Sequence, residues 1–226
     1  MGSEHSIIIG YKLDFIIIGE FAGKTCLCEK FVNGIFKPDL CPTVGFDLLC
    51  KKVRINDKLY EIMIRDTSRY HKMREYYCSI YKNMACALIV YDITNIASFV
   101  NIYSWIEDCK LNSKSIYIVL VGNRVDLEDQ RQVPFKEGQA LANKYGIDFY
   151  ETSALTGENV EEIFINSAKE IDKRINQGYY KLNNDNLGIK PLFEINNKMN
   201  ETNKVNKMKN VITRFKNRKK METLIN

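Results

Sequence analysis

The sequence has few of the residues that metal centres and disulfide frameworks require. Its 226 residues include only two histidines, His5 and His71. The seven cysteines are an odd number, and no two of them form a Cys-x-x-Cys pair. They stand at positions 26, 28, 41, 50, 78, 86 and 109. We therefore expect neither a zinc module nor a disulfide scaffold, and a reducing cytosol fits this cysteine usage.

Long apolar runs are also absent. No stretch approaches the roughly 18 to 20 consecutive apolar residues that a membrane-spanning helix requires. The first residues have neither the basic flank nor the apolar core of a secretion signal. With 45% apolar and 27% charged residues, the composition is that of an ordinary globular chain. We expect a cytoplasmic protein of one domain with an appendage, neither secreted nor integral to a membrane.

The net charge of +5 is unevenly distributed along the chain. Residues 178–226 contain 11 Lys or Arg and 4 Asp or Glu, whereas residues 1–177 contain 22 and 24. The same tail holds 11 asparagines and little apolar content before Val205. Such a segment cannot bury enough apolar surface to offset its ordering entropy. We predict a short extension at 1–10, a near-neutral domain over 11–177, and a flexible basic tail at 178–226.

Within the domain, short apolar runs alternate with longer amphipathic stretches. The runs predict buried parallel strands at 13–18, 85–91, 116–121 and 147–150, and the stretches predict helices at 24–32, 97–111, 135–145 and 160–176. Residues 47–54 and 58–65 predict a hairpin joined by Asn56 and Asp57, with one antiparallel strand at the sheet edge. The fold class is therefore α/β, with six strands in a mostly parallel sheet and helices on both faces. Ligands of such sheets bind beyond the carboxyl ends of the strands.

The segment after the first predicted strand has the features of a phosphate-binding loop. It comprises Gly19, Glu20, Phe21, Ala22, Gly23, Lys24 and Thr25, and Cys26 follows. Glycines let backbone N–H groups wrap phosphates, the lysine reaches the outer oxygens, and the threonine hydroxyl binds Mg²⁺. The usual pattern has four residues between its glycines, and this chain has only three. Taken alone, the loop is equally consistent with an ordinary turn between a strand and a helix.

Two later segments follow predicted strands and indicate guanine binding. The first contains Asn123, Arg124 and Asp126, and the second contains Ser153, Ala154 and Leu155. The carboxylate of Asp126 can accept two parallel N–H bonds from guanine, a pairing that adenine cannot offer. We expect the N–H of Ala154 to meet the guanine oxygen, and Asn123 to tie its loop to the phosphate loop.

A magnesium site is predicted beside the phosphates. Asp66, at the end of the third predicted strand, is suited to hold a water on Mg²⁺. Thr43 lies in the loop after the first predicted helix and is suited to complete the ion's shell together with Thr25. The predicted metal ligands are therefore Thr25, Thr43 and Asp66.

In this order, the motifs resemble those of Ras-superfamily small GTPases, and most closely those of the Rab branch. Residues 90–94, 98–102, 105–106 and 151–155 are similar to Rab sequences. The resemblance covers about residues 11–176 and implies the P-loop small G domain. It also implies a GTP/GDP switch with Mg²⁺ in vesicle-mediated membrane traffic, read by effector and regulator proteins.

The departures from the family pattern concentrate in the parts that switch. Family members carry Asp-x-x-Gly-Gln, whereas Arg69 and Tyr70 stand at the Gly and Gln positions here. The glutamine normally orients the attacking water, and a tyrosine phenol cannot reproduce the geometry of a carboxamide. We therefore predict slow GTP hydrolysis, with Arg69 and Tyr70 as degenerate catalytic positions. Alternatively, Arg69 places its guanidinium near the γ-phosphate in cis, as an arginine finger does.

Other substitutions affect binding of the nucleotide and of partners. Arg124 replaces the usual lysine of the guanine loop, although its planar head can still stack on the base. Phe21 can crowd the β-phosphate in the short loop. Leu48 and Arg65 replace aromatic residues that Rab proteins usually present to effectors. A second interpretation therefore stays open, namely a nucleotide-locked or nucleotide-free pseudo-GTPase scaffold of the same fold.

Membrane attachment would need an unusual route. The last cysteine is Cys109, so we expect no C-terminal prenylation of the Rab kind. Gly2 fits the N-myristoylation pattern with Ser6 at the favoured position, although Met-Gly-Ser also resembles a cloning scar. Residues 204–220 hold eight basic and no acidic residues, with apolar positions at spacings of three and four.

The basic segment has two equally consistent interpretations. It is a basic amphipathic helix lying on an anionic membrane, which would place the protein at the cytosolic face of endomembranes, or it is a solvated disordered extension. Aromatic residues for base stacking are sparse, with Phe215 alone in the basic stretch, so we do not expect nucleic acid binding.

Overall fold

The structure, a computed structural model, describes residues 8–38, 40–68, 74–180 and 187–194. Its strands are β1 (Ile8–Ile18), β2 (Phe46–Ile55), β3 (Lys58–Thr67), β4 (Cys86–Asp92), β5 (Tyr117–Asn123), β6 (Asp148–Thr152) and β7 (Ile189–Glu194). Its helices are α1 (Lys24–Asn33), α2 (Arg74–Ile80), α3 (Ile96–Val100), α4 (Ile102–Asn112), α5 (Phe135–Tyr145) and α6 (Val160–Asn176). Short 3₁₀ helices span Tyr81–Asn83 and Val125–Gln130. The predictions for Gly2, Ser6 and residues 204–220 lie outside the described residues.

The sheet has the order β2-β3-β1-β4-β5-β6, and β7 pairs with β1. The five strands β3, β1, β4, β5 and β6 are parallel to one another, and β2 is antiparallel to β3 at the edge. The predicted hairpin is confirmed, because Asn56 (φ 47°) and Asp57 (φ 64°) both adopt the left-handed backbone of a two-residue hairpin turn. The fold is therefore the expected α/β sheet, with the carboxyl ends of its parallel strands at one end.

The predicted count of six strands is wrong, since the sheet contains a seventh strand, β7. β7 lies in the segment predicted as tail and pairs antiparallel with residues 8–13 of β1. β4 contacts only residues 15–18 of β1, so the first half of β1 leaves backbone groups that β7 can pair. The side chain of Ile189 supports this pairing, because it is buried in the same core layer as Tyr11 and Leu13.

The helix predicted over residues 97–111 is divided at Asn101 into α3 and α4. The N–H of Asn101 bonds to the carbonyl of Phe99 instead of the carbonyl four residues back, which tightens the chain at this point. Its side-chain amide donates to Glu20 Oε2 at 3.0 Å, linking the break to the phosphate loop. The described residues also include α2, which the sequence pattern did not predict.

Two apolar layers cover the sheet. One lies under α1 and α6, where the rings of Phe31 and Phe164 stack with centroids 4.0 Å apart. The other lies under α2, α4 and α5 and includes Tyr77, Trp105 and Leu141. Every residue of β4 and β5 is buried, as their continuous apolar runs predicted. No helix within the described ranges is long and apolar enough to cross a membrane.

Candidate functional site

The loop between β1 and α1 needs glycine at two positions. Gly19 has φ 129°, and a Cβ there would lie 2.0 Å from the carbonyl oxygen of Val90. Gly23 has φ 71°, and its Cβ would lie 2.8 Å from Asn123 Nδ2. Phe21 also has a positive φ of 52°, a conformation that costs a residue with a Cβ roughly 1 to 2 kcal/mol. The shortened loop therefore turns sharply, and the side chain of Phe21 is left 55% exposed.

Lys24 opens α1 with its side chain enclosed by the loop. Its ammonium donates to the carbonyl of Gly19 at 2.7 Å, and the residue is only 5% exposed. The first turn of α1 has no acidic residue of its own, so within the helix no carboxylate offsets the positive end of the dipole. The ammonium and the helix start together make a local environment suited to an anion.

Three predicted metal-site residues come together at this helix start. Thr25 Oγ1 donates to Asp66 Oδ2 at 2.6 Å, and Thr43 Oγ1 donates to the same oxygen at 3.3 Å. The two threonine hydroxyls are 3.1 Å apart. α1, the loop that leads into β2 and the end of β3 each contribute one of these residues. Residues far apart in the chain thus form one cluster of oxygen atoms.

The cluster has the chemistry of a magnesium site. Asp66 is fully buried, and its Oδ1 has no hydrogen-bond partner among the described residues. Burial raises the pKa of the Asp66 carboxyl above its usual value, although hydrogen bonds from Thr25 and Thr43 oppose this effect. Mg²⁺ is a hard cation that takes oxygen ligands, often one or two carboxylates with several waters. The unpartnered buried oxygen and the two hydroxyls therefore fit Mg²⁺.

The predicted base-binding loops meet next to the phosphate loop. Asn123 Nδ2 donates to the carbonyl of Ala22 at 2.8 Å, which is the tie between the two loops that the sequence predicted. Thr152 Oγ1 donates to Asn123 Oδ1 at 3.2 Å and holds the amide in this orientation. Asn123 is 1% exposed, so both of these hydrogen bonds are shielded from water.

Asp126 and Ser153 are also in contact. Ser153 Oγ donates to Asp126 Oδ1 at 2.5 Å and accepts the backbone N–H of Thr156 at 3.1 Å. Ser153 is fully buried, so its hydroxyl holds the carboxylate of Asp126 from the interior side. Of the two residues that follow, Ala154 is buried and Leu155 is half exposed. The carboxylate is thus oriented before any ligand arrives.

A comparison with known protein families agrees with this geometry. The model of the Ras family matches residues 14–173, well over half of the chain. The chain belongs to the Ras family. Members of this family are small GTPases, which bind GTP and GDP, usually with Mg²⁺. The matched range contains every residue described above for the phosphate, metal and base positions.

In this Ras-family chain, Arg124 pairs with an aspartate that sequence reasoning did not assign to the site. Arg124 Nη1 lies 3.2 Å from Asp92 Oδ2, and Arg124 has a left-handed φ of 73°. Asp92 Oδ1 accepts the backbone N–H of Thr94 at 2.8 Å and its hydroxyl at 2.7 Å. Asp at a strand end with Thr two residues on is the signal of an Asx turn and could have identified Asp92. The ion pair holds the guanidinium of Arg124 at the carboxyl end of β4.

The loop before β2 is joined by hydrogen bonds to the end of β3 and to α2. The N–H of Ser68 donates to the carbonyl of Gly45 at 2.9 Å, and the hydroxyl of Tyr77 donates to the same carbonyl at 3.1 Å. Ser68 Oγ and Tyr77 Oη are also 3.1 Å apart. The sequence did not indicate a role for Tyr77, since its partners come from two other loops. Arg69 and Tyr70, the predicted degenerate catalytic positions, lie outside the described residues.

The remaining predicted site residues have structural partners. Glu20 accepts the side-chain amide of Asn101, as noted above. Cys26 Sγ donates to the carbonyl of Lys37 at 3.5 Å, and burial raises the pKa of this thiol. Leu48 is 57% exposed beside Arg65, its cross-strand partner, and the Arg65 guanidinium lies 5.7 Å from the ring centroid of Phe46. This cross-strand pair thus presents a leucine and an arginine on β2 and β3.

Proposed function

We propose that this chain is a GTP/GDP switch of the Rab type that hydrolyses GTP slowly and acts in vesicle-mediated membrane traffic. The single observation that carries the proposal is the convergence of Thr25 and Thr43 on Asp66 at the start of α1. Such a cluster has a clear use if Mg²⁺ and phosphates occupy the adjoining loop. Membership of the Ras family supports the broader activity of a small GTPase.

In the proposed complex, the loop and helix start hold the phosphates. Backbone N–H groups of the loop and the Lys24 ammonium contact phosphate oxygens, so the hydrogen bond from Lys24 to Gly19 is exchanged for one to the ligand. Thr25 and Thr43 would provide hydroxyl oxygens to Mg²⁺, and Asp66 would hold a water on it. Bound there, Mg²⁺ would supply positive charge against the phosphates, at a position set by these residues.

The base is selected at the opposite end of the same site. Asp126 accepts two N–H groups from guanine, and the bond from Ser153 keeps the carboxylate in place to do so. Arg124 covers the base with its stem while its head stays paired with Asp92. Asn123 hydrogen-bonds to the phosphate loop. The residues that contact the base and those that contact the phosphates are therefore held in a fixed relative position.

Slow hydrolysis is proposed from the residues that follow Asp66. Tyr70 stands where a glutamine orients the attacking water, and Arg69 stands where a glycine contacts the γ-phosphate. A phenol has one donor and a different reach from a carboxamide, so it supplies a poorer position for water. The Rab assignment rests on the similar segments at 90–94, 98–102 and 151–155. Effectors would then meet a surface with Leu48 and Arg65 in place of aromatic residues.

Calorimetry on the full chain tests this proposal. Protein stripped of nucleotide is titrated with GTP, GDP and ATP in the presence of Mg²⁺, and again with Mg²⁺ chelated. We expect GTP and GDP to bind at least tenfold more tightly than ATP, a difference of about 1.4 kcal/mol or more. Chelation is expected to weaken GTP and GDP binding. Equal affinity for ATP and GTP would contradict the proposal, and no binding of any nucleotide would favour the scaffold interpretation.

A further inference from the structure

A second cleft lies at the end of the domain opposite the nucleotide site. It is enclosed by the end of α4, the start of β5, the end of α5 and the end of α6, and its volume is about 390 Å³. Tyr117, in its wall, begins β5, whose last residue is Asn123 of the base-binding loop. A strand rises about 3.3 Å per residue, so the two sites lie roughly 20 Å apart. The cleft is therefore separate from the site described above.

Cations outnumber carboxylates in this cleft. Lys110, Lys114 and Arg174 contribute to its lining, and Asp148 is the one carboxylate among its lining residues in the described chain. The Asp148 carboxylate accepts a hydrogen bond from the hydroxyl of Tyr117, and Glu170, next to the lining, pairs with Arg174. Three cations against these two carboxylates leave an excess of positive charge at Lys110 and Lys114, which favours an anion.

The cations are held in place by neighbouring groups. Lys110 Nζ donates to the carbonyl of Tyr145 at 2.9 Å and lies 4.8 Å from that residue's ring centroid. An ammonium has three donors, so two remain for a ligand. Arg174 Nε donates to Glu170 at 3.0 Å, and the guanidinium lies 4.7 Å from the ring centroid of Tyr117. Side chains that are already positioned lose less entropy when they bind a ligand.

We propose that this cleft binds a phosphate-bearing anion, either a free phosphate compound or the headgroup of a phosphorylated lipid. Phosphate oxygens accept from ammonium and guanidinium groups through charge-assisted hydrogen bonds. The hydroxyl of Ser113 is a further polar group in the lining, whereas the hydroxyl of Tyr179 donates to the carbonyl of Lys114 at 3.5 Å. The chain's own tail does not suit the cleft, because residues 195–226 are themselves basic. A cavity of this volume is within the range of small-molecule sites.

The test uses the full chain saturated with GDP and Mg²⁺, so that the phosphate loop is filled. Inositol trisphosphate is titrated in, and backbone amide NMR shifts report where it binds. We expect shifts at Lys114, Gly146 and Tyr179. The variant K110Q/K114Q is expected to weaken the binding that causes these shifts at least tenfold. The matched variant K52Q/K136Q removes two charges from exposed positions outside the cleft. We expect it to change the affinity for inositol trisphosphate less than twofold.

Vesicle flotation separates the two sources of the anion. Phosphatidylcholine vesicles carry either a phosphatidylinositol phosphate or phosphatidylserine at equal total charge. An excess of recruitment to the inositol lipid over phosphatidylserine that K110Q/K114Q removes would support a lipid headgroup, and equal recruitment to the two lipids would support a soluble phosphate compound. Unshifted cleft amides, or equal weakening by both double variants, would overturn the proposal. Binding of a short RNA without binding of inositol trisphosphate would overturn it as well.

Discussion

At the scale of single residues, the carboxylate of Asp126 and the buried oxygens around Asp66 have different tasks. Asp126 is exposed and oriented by Ser153, as suits a group that must meet a base from solution. Asp66 is fully buried and bonded to two threonine hydroxyls, as suits a group that positions an ion and its waters. Burial therefore distinguishes the carboxylate proposed to select the base from the carboxylate proposed to hold the metal.

Replacing Asp126 with Asn is expected to weaken GTP and GDP binding by about tenfold or more. The amide offers one acceptor oxygen and no charge, so one of the two charge-assisted hydrogen bonds to guanine is lost. Calorimetry of GDP and ATP against Asp126→Asn measures the change. Asp129→Asn is the matched control, since Asp129 is an exposed aspartate three residues further on. Equal effects of the two substitutions would contradict the assigned role of Asp126.

Restoring the family residues at positions 69 and 70 is expected to accelerate GTP hydrolysis. In Arg69→Gly/Tyr70→Gln, a carboxamide can again orient the attacking water. We therefore expect the rate of GTP hydrolysis to rise roughly tenfold or more. Single-turnover hydrolysis of bound GTP is the measurement. Arg69→Ala alone is the informative companion, because a slower rate would mean that Arg69 acts as an arginine finger in cis. An unchanged rate in the double variant would show that these positions do not limit hydrolysis.

At the scale of elements, the hairpin and β7 illustrate what sequence patterns can and cannot predict. The hairpin was predictable, since Asn56 and Asp57 are residues that tolerate the left-handed backbone of a tight turn. β7 was not, because its pairing depends on the uncovered half of β1, about 180 residues earlier in the chain. The polar composition around β7 also concealed the buried Ile189. A local sequence pattern is enough to predict a turn, whereas the pairing of an added strand depends on residues distant in the sequence.

Gly188, at the entry to β7, is expected to tolerate no side chain. It has φ 62°, and a Cβ would lie 2.5 Å from the carbonyl oxygen of Asn83 and 2.6 Å from the N of Ala85. Gly34→Ala is the matched control, because Gly34 has φ 71° and open space around its Cβ position. We expect Gly34→Ala to lower the free energy of unfolding by about 1 kcal/mol and Gly188→Ala to lower it by clearly more.

Urea denaturation of the two glycine variants provides the measurement. Unfolding is followed by circular dichroism at a fixed concentration of GDP and Mg²⁺, so that ligand binding contributes equally to both. If both variants lost the same stability, the close packing of Gly188 against Asn83 and Ala85 would not contribute to the folded state.

At the scale of the whole molecule, charge and topology divide the protein into two ends. The nucleotide site lies at the carboxyl ends of the parallel strands, whereas β7 runs antiparallel to β1 and ends beside Ile8 at the other end. The basic segment 204–220 follows β7 in the chain, while residues 1–177 carry slightly more acidic than basic residues.

We expect the full chain to bind anionic vesicles and a chain ending at residue 194 not to bind them. Each basic side chain near an anionic surface contributes about 1 kcal/mol, and salt screens this attraction. Flotation with phosphatidylserine vesicles at low and high salt is the measurement, with neutral phosphatidylcholine vesicles as the control. Equal flotation of both chains would contradict a membrane role for the tail. Displacement by competing RNA at both salt concentrations would instead favour nucleic acid binding.

The sequence by itself determined the α/β alternation, and it predicted the residues that we propose to bind phosphate and guanine. These signals are local, because periodicity and a strand-to-helix turn are encoded in neighbouring residues. It also predicted the tie made by Asn123, although its partner Ala22 lies 101 residues away. The motifs occur along the chain in the order typical of the family, and each follows a strand. This order predicted that the phosphate loop and the loop of Asn123 lie at the same edge of the sheet.

Only the tertiary structure decided which side chains meet and which backbone groups remain to be paired. It joined the hydroxyl of Tyr77 to the carbonyl of Gly45, paired Arg124 with Asp92, added β7 to β1 and formed the cleft lined by Lys110 and Arg174. Each of these depends on packing between distant segments, and packing distances are not encoded in any short stretch of sequence.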